Sequence, residues 1–338
     1  MNPKRLFRFA GASLALWHGL ILFAGFFSPY DPTMQNRTLA FAPPTRIHFF
    51  DRYQRFHLRP FVYGVRAQPH NPEAYEEERS QVYPIKWMVR GHGYKAGGLF
   101  PTRWHLFGVD EPGRIFLFGS DDFGRDQFSR LLFGGQISIA AGLAATALSL
   151  GLGFLLGMMA GLQAGWLDEV VMRCAEVFMA LPWLYLLFAV RAVMPLHVSA
   201  GKAFLLVVVV IGVLGWARPA RLIRGVVLSA KEKDFVVAAR GLGASGAYLV
   251  GRHVAPQTRG VMLTQASVLI PQYILAEVTL SFLGLGVSEP TASWGNMLST
   301  LQQYHVLLSY WWMFIPGLAL IPLIWGYYTL ANTIKMRL

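Results

Sequence analysis

Only one cysteine, Cys174, stands among 338 residues. That excludes a scaffold held by disulfides, which needs pairs. Charge is scarce as well: 14% of the residues are Asp, Glu, Lys or Arg, against roughly 25% in a typical soluble domain. The glycine-rich phosphate loop G-x-x-x-x-G-K-[ST] is missing, so the chain holds no ATP by that device. No G-x-S-x-G elbow occurs, and the nine histidines include no H-x-x-x-H pair of the kind that places two metal ligands on one helix face. Gly241–Gly246 does spell G-x-G-x-x-G. A dinucleotide site, however, needs a strand before it and an acidic residue about 20 positions after it. Here Lys231-Glu232-Lys233-Asp234 precedes it, and Leu263 stands at the later position.

Apolar residues fill the space that charge leaves. They make up 54% of the chain, and its mean hydropathy is +0.41. Disorder is excluded by the same figures, and an integral membrane protein is implied. A spanning helix needs roughly 20 mostly apolar residues. Six segments qualify: 9–27, 137–162, 174–195, 199–217, 261–285 and 307–330. The expected fold class is therefore an all-α membrane protein of six transmembrane helices. The first segment reads as an uncleaved anchor, because no small-x-small site follows Phe26-Phe27-Ser28-Pro29.

The net charge of +12 sits beside these runs. Residues 1–28 carry Lys4, Arg5 and Arg8, and residues 218–259 carry eight basic and two acidic residues. Segregation of this kind follows the positive-inside rule and argues against nucleic acid as a partner. It places both termini, including Lys335 and Arg337, and the loop 218–259 in the cytoplasm. Loop 163–173 then faces inward despite Asp168 and Glu169. Residues 29–135 face outward and are too long for a plain connection. They read as a partly β insert, with a hairpin formed by 104–109 and 114–118 around Asp110-Glu111-Pro112-Gly113. Residues 122–133 read as an amphipathic interfacial helix. Expected domains are 1–30 (stub and first helix), 31–121 (insert) and 122–338 (core with five helices).

Two stretches carry candidate chemistry. Gln272 and Glu277 lie in the fifth apolar segment, where a carboxylate is costly and faces either a pathway or the interface. The second stretch is the basic loop. It reads as a short helix of small residues, Val237-Ala238-Ala239-Arg240, closed by Gly241 and Gly243, with Ala244 and Ser245 beyond. Small side chains leave a low ridge that enters a groove on another protein, and Gly243 can take the left-handed conformation that ends a helix.

That stretch resembles the EAA loop of binding-protein-dependent ABC transporter permeases, in the dipeptide and oligopeptide form. The family pattern is E-A-A, three residues, G, nine residues, I-x-L-P. It falls on Val237-Ala238-Ala239, Gly243 and His253-Val254-Ala255-Pro256, with Val237 in place of the glutamate. Residues 118–134, with Asp121, Gly124, Arg125, Asp126 and Arg130, are similar to the G-T-D-x-x-G-R-D-x-x-S-R-x-x-x-G signature of the same permeases. Residues 276–286, with Ser293-Trp294-Gly295-Asn296, are similar to the segment at their fifth span.

The resemblance implies the type I importer permease fold and a C-type subunit. It implies two homologous permease chains forming one pathway, and two cytoplasmic ATPase subunits that hold ATP and magnesium and receive 238–245. An extracytoplasmic solute-binding protein would deliver peptides, nickel or an opine-like solute across the bacterial inner membrane. On this reading the chain itself is not an enzyme and binds no cofactor. Two readings of other classes stand beside it: an ion-coupled secondary transporter using Glu277, and a membrane receptor whose insert 35–100 binds a ligand.

Overall fold

A computed structural model describes residues 3–68, 71–163, 165–192 and 199–335. Arg337 lies outside the described residues, as does the first part of the connection near 196–202, which is expected to face outward. The chain divides into two compact units.

The first unit comprises Met1–Ser13, Ile139–Glu277 and Leu323–Leu338. Its backbone is helical. Helix α1 covers Pro3–Leu22, and α2 runs unbroken over Gln127–Gln163, about 55 Å at 1.5 Å per residue. Then come α3 (Trp166–Ala180), α4 (Trp183–Ala192), α5 (Ala200–Leu214), α6 (Ala217–Lys231) and α7 (Asp234–Gly241). Residues 246–258 lead helically into α8 (Arg259–Phe282). The short α9 (Trp294–Ser299) belongs to the second unit, and α10 (Ile315–Lys335) runs from the second unit into the first.

Gly153, Gly157 and Gly161 recur every fourth residue on one face of α2. A Cβ there would come within 2.6 Å of Pro219, 2.6 Å of Ala220 and 2.7 Å of Val227 respectively. The missing side chains let α6 lie directly against α2. Ala220, Ile223 and Val227 are consequently fully buried. Lys231 donates to the carbonyls of Gly161 (2.9 Å) and Leu162 (3.1 Å), which α2 leaves unsatisfied at its C-terminal end. Arg224 grips Asp168, in the first turn of α3, through both carboxylate oxygens. Residues 218–231, expected as part of a cytoplasmic loop, thus form a packed helix.

The second unit comprises Leu14–Ser138 and Val278–Pro322. It holds an antiparallel sheet of β1 (His48–Phe50), β2 (Phe56–Gln68) and β3 (Asn71–Pro84), in that order, and an antiparallel pair of β4 (Lys86–Ala96) and β5 (Phe100–Gly108). Val62, Ile85, Phe107 and Ile115 form its buried core. The expected 104–109/114–118 hairpin does not form. Residues of β5 pair instead with β4, Lys86 opposite Gly108, through a turn in which Gly97 and Gly98 take positive φ. The segment after it is held elsewhere: the Ile115 amide donates to the Tyr30 hydroxyl and the Phe116 amide to Thr45.

Among the described residues, three helical runs are long and apolar enough to cross a membrane: Gln127–Gln163, Gly246–Phe282 and Trp311–Ile334. Helices α5 and α6, bent by 42° at their junction, make a fourth as one broken span. The segment expected at 174–195 is interrupted at Leu181-Pro182, between α3 and α4, where the proline lacks an N–H to continue the helix.

Candidate functional site

Three places gather the residues singled out by sequence. The first is the turn after α7. Asp234 opens this helix and Arg240 lies in its last turn, each sign matching its end of the helix dipole. Val236 is buried and anchors it. The opposite face is open: Val237, Ala238, Arg240 and Gly241 are exposed, and Ala239 is half-buried. Gly243 has φ +87°. Its amide donates to the Arg240 carbonyl (3.0 Å) and the Ala244 amide to the Ala239 carbonyl (3.1 Å), the paired bonds that close a helix through a left-handed residue. Ser245 then caps the next turn by accepting from the Tyr248 amide. Leu242 is 90% exposed at the apex, with Phe235, Val237 and Tyr248 exposed around it. Pro256 lacks an N–H, and the chain before it widens to π-helical geometry over Val250–Val254. The result is a rigid elbow with an apolar tip.

The second place lies at the 42° bend between α5 and α6. A cavity of about 190 Å³ opens there. Phe178, Ile211 and Leu269 supply apolar walls, and Arg218, Gln272 and Tyr273 the polar ones. The Tyr273 hydroxyl lies 3.0 Å from Ser149 Oγ, and only a glycine at 215 leaves room for it. Gln272 thus faces a cavity. Glu277, one and a half turns along α8, does not line it and is fully buried. Thr264 and Ser267 donate to carbonyls four residues back in α8. Arg218 and Tyr273 were not singled out by sequence; Arg218, placed just past an apolar run, was the available signal.

The third place is an ion-pair knot in the second unit. Arg125 Nε meets Asp121 Oδ2 at 2.6 Å, and its Nη1 meets Glu289 Oε2 at 2.5 Å. Arg130 Nη2 holds the other Glu289 oxygen at 2.8 Å and Nε lies 3.3 Å from Asp121. Asp121 Oδ1 accepts the amides of Phe123 and Arg125. Gly124 has φ +69°, and a side chain there would strike the Asn36 carbonyl.

Asp126 accepts from the Ser129 amide (2.8 Å) and hydroxyl (2.5 Å), capping α2. Burial pushes its carboxyl up to about 7 despite those bonds. The expected interfacial helix over 122–133 is corrected here: 122–126 are a turn and a bridge from Asp126 to Ser120, the helix begins at Gln127, and Arg125 and Arg130 are buried, not displayed. Glu289 was overlooked because it stands alone in an apolar stretch. Ser293 and Asn296 cap each other's backbone at α9, and the Trp294 indole donates to the Leu131 carbonyl.

Residues 153–337, more than half of the chain, match the family described as binding-protein-dependent transport system inner membrane component. A Brucella ovis protein named as a peptide permease is 38% identical over 205 residues, 60% of this chain and 66% of that relative. The oligopeptide transport system permease protein OppC of Bacillus subtilis is 37% identical over 58% of this chain and 62% of its own. The dipeptide transport system permease protein DppC of the same organism is 34% identical over 61% of this chain and 62% of its own. The chain thus spans just under two thirds of the length of these relatives.

Proposed function

Since the chain belongs to the family of binding-protein-dependent transport system inner membrane components, a family of membrane permeases and not of enzymes, we propose that it is one half of the pathway of an ATP-driven importer. The cargo is a peptide or a similar small solute, as the names of the relatives suggest. A homologous permease chain supplies the other half. Cytoplasmic ATPases hold the ATP and magnesium, and an extracytoplasmic binding protein delivers the solute. Six crossings with both termini in the cytoplasm complete the arrangement. Beyond the three long helices and the bent pair, α1 and the interrupted α3–α4 supply the remaining two. Residues 31–121 form the outer insert.

The observation that carries the coupling is the elbow at 234–245. An exposed leucine at the apex of a glycine-closed turn suits insertion into a groove of a partner. The helix is anchored beneath by Val236 and follows α6, which packs on α2 across its glycines. Movement of the elbow therefore reaches the cavity at the α5–α6 bend through a rigid element, the kind of two-state coupling that a pump requires. The buried knot at 121–130 serves the outer face by anchoring the start of α2.

The test is co-purification. The tagged chain is expressed with its genomic neighbours, and its companions are identified with and without Gly243→Val. An ATPase and a second permease are expected with the wild type, with ATPase recovery reduced in the variant. Recovery of the chain alone, still folded, would contradict the proposal.

A further inference from the structure

The cavity at the bend of α5 and α6 has a chemical bias that the importer reading does not supply. Its polar side chains are the Arg218 guanidinium, which only donates, and the Gln272 amide and Tyr273 hydroxyl, which donate as well as accept. No carboxylate lines it among the described residues. Three other cations of the first unit are engaged. Arg224 is bound to Asp168, Arg173 to Glu176, and Lys231 to the end of α2. Arg218 meets no carboxylate among the described residues. It sits in the first turn of α6, whose positive dipole end adds to its charge. Arg218 lines the cavity and is itself exposed, so its charge is open to an anionic group that enters.

The size limits what enters. About 190 Å³ is below the roughly 300–1,000 Å³ of pockets that engulf a drug-sized ligand. The cavity therefore holds one end of a solute. Its walls are apolar apart from the three donors, so that end carries an apolar group beside an anion.

Resting on the reading of this chain as a solute pathway, we propose that the α5–α6 cavity binds the carboxylate end of an apolar solute, such as a peptide C-terminus, with Arg218 as the specificity-determining residue. Gln272 and Tyr273 add hydrogen bonds, and Ser149 with Gly215 fixes the position of the Tyr273 hydroxyl.

The experiment uses the full chain in nanodiscs of phosphatidylcholine and needs neither an ATPase nor transport, so its failure is separable from that of the importer reading. Ligand-observed NMR measures binding of Ala-Ala-Phe as free acid and as C-terminal amide. The wild type is expected to prefer the acid by about tenfold or more, the scale of a hydrogen bond to a charged group. Arg218→Gln should erase the preference and Arg218→Lys keep most of it, which separates lost charge from lost fold. Equal affinities in the wild type, absence of binding, or a preference that survives in Arg218→Gln would overturn the proposal. Adding phosphatidylglycerol distinguishes the other source of an anion: unchanged peptide binding supports the solute, and displacement of the peptide assigns the cavity to a lipid headgroup.

Discussion

Gly243, in the first unit, and Asp126, in the second, show how single residues set local behaviour. At φ +87° any β-branched residue is strained by roughly 1–3 kcal/mol. No described atom approaches a Cβ built on Gly243, so that strain is the whole effect inside this chain. Gly243→Val should therefore lower the thermal midpoint of the chain by a few degrees only and still lower ATPase recovery. A collapse of the midpoint would place the defect in folding, not docking.

Asp126 makes a different prediction. Burial raises its carboxyl from the ordinary 3.8 to about 7. Between those values the folded chain keeps a proton that the unfolded chain has lost. Stability from this group is full below pH 3.8 and falls as pH rises toward about 7. Asp126→Asn still caps the helix, so the variant should lose only this pH dependence. The check is the difference between wild-type and variant thermal midpoints across that window.

Helix α6 is the element on which sequence and structure part most clearly. Its three arginines, Arg218, Arg221 and Arg224, made 218–231 read as a basic loop. The structure buries Ala220, Ile223, Val227 and Ala230 instead, because α2 offers a glycine every fourth residue. The spacing Gly153-x-x-x-Gly157-x-x-x-Gly161 was present in the sequence, but it names no partner. Only the fold brings Pro219 and Ala220 opposite it. Gly157→Leu should force the helices apart, at a cost of about 1–3 kcal/mol from overpacking, read as a lower unfolding midpoint. An unchanged midpoint would mean that α6 does not rest on this face.

The elbow itself was legible to the residue, since a short helix ended by glycine is local chemistry. The outer knot was legible as a motif but not as a buried cluster. Its closing member, Glu289, lies 159 and 164 positions from the arginines it binds. Long-range ion pairs of this kind leave no spacing rule to read.

At the scale of the whole molecule, orientation is the open prediction with the simplest chemistry. The segment 163–173, expected as a loop but helical from Trp166 onward in α3, carries Asp168 and Glu169, which run against an inward assignment. The Arg224–Asp168 pair neutralises one of them, and the basic surplus around 218–259 then dominates. With Cys174→Ala as background, Ser245→Cys should resist an impermeant thiol reagent in intact cells and react once the membrane is opened. The apolar tip at Leu242, 90% exposed, is the proposed docking point of an ATPase. A photo-crosslinking residue at position 242, irradiated in native membranes, tests it directly. A covalent adduct to an ATPase subunit, lost when Gly243 is also changed to Val, is the predicted result. Adducts only to lipid, or to an extracytoplasmic protein, would contradict the account.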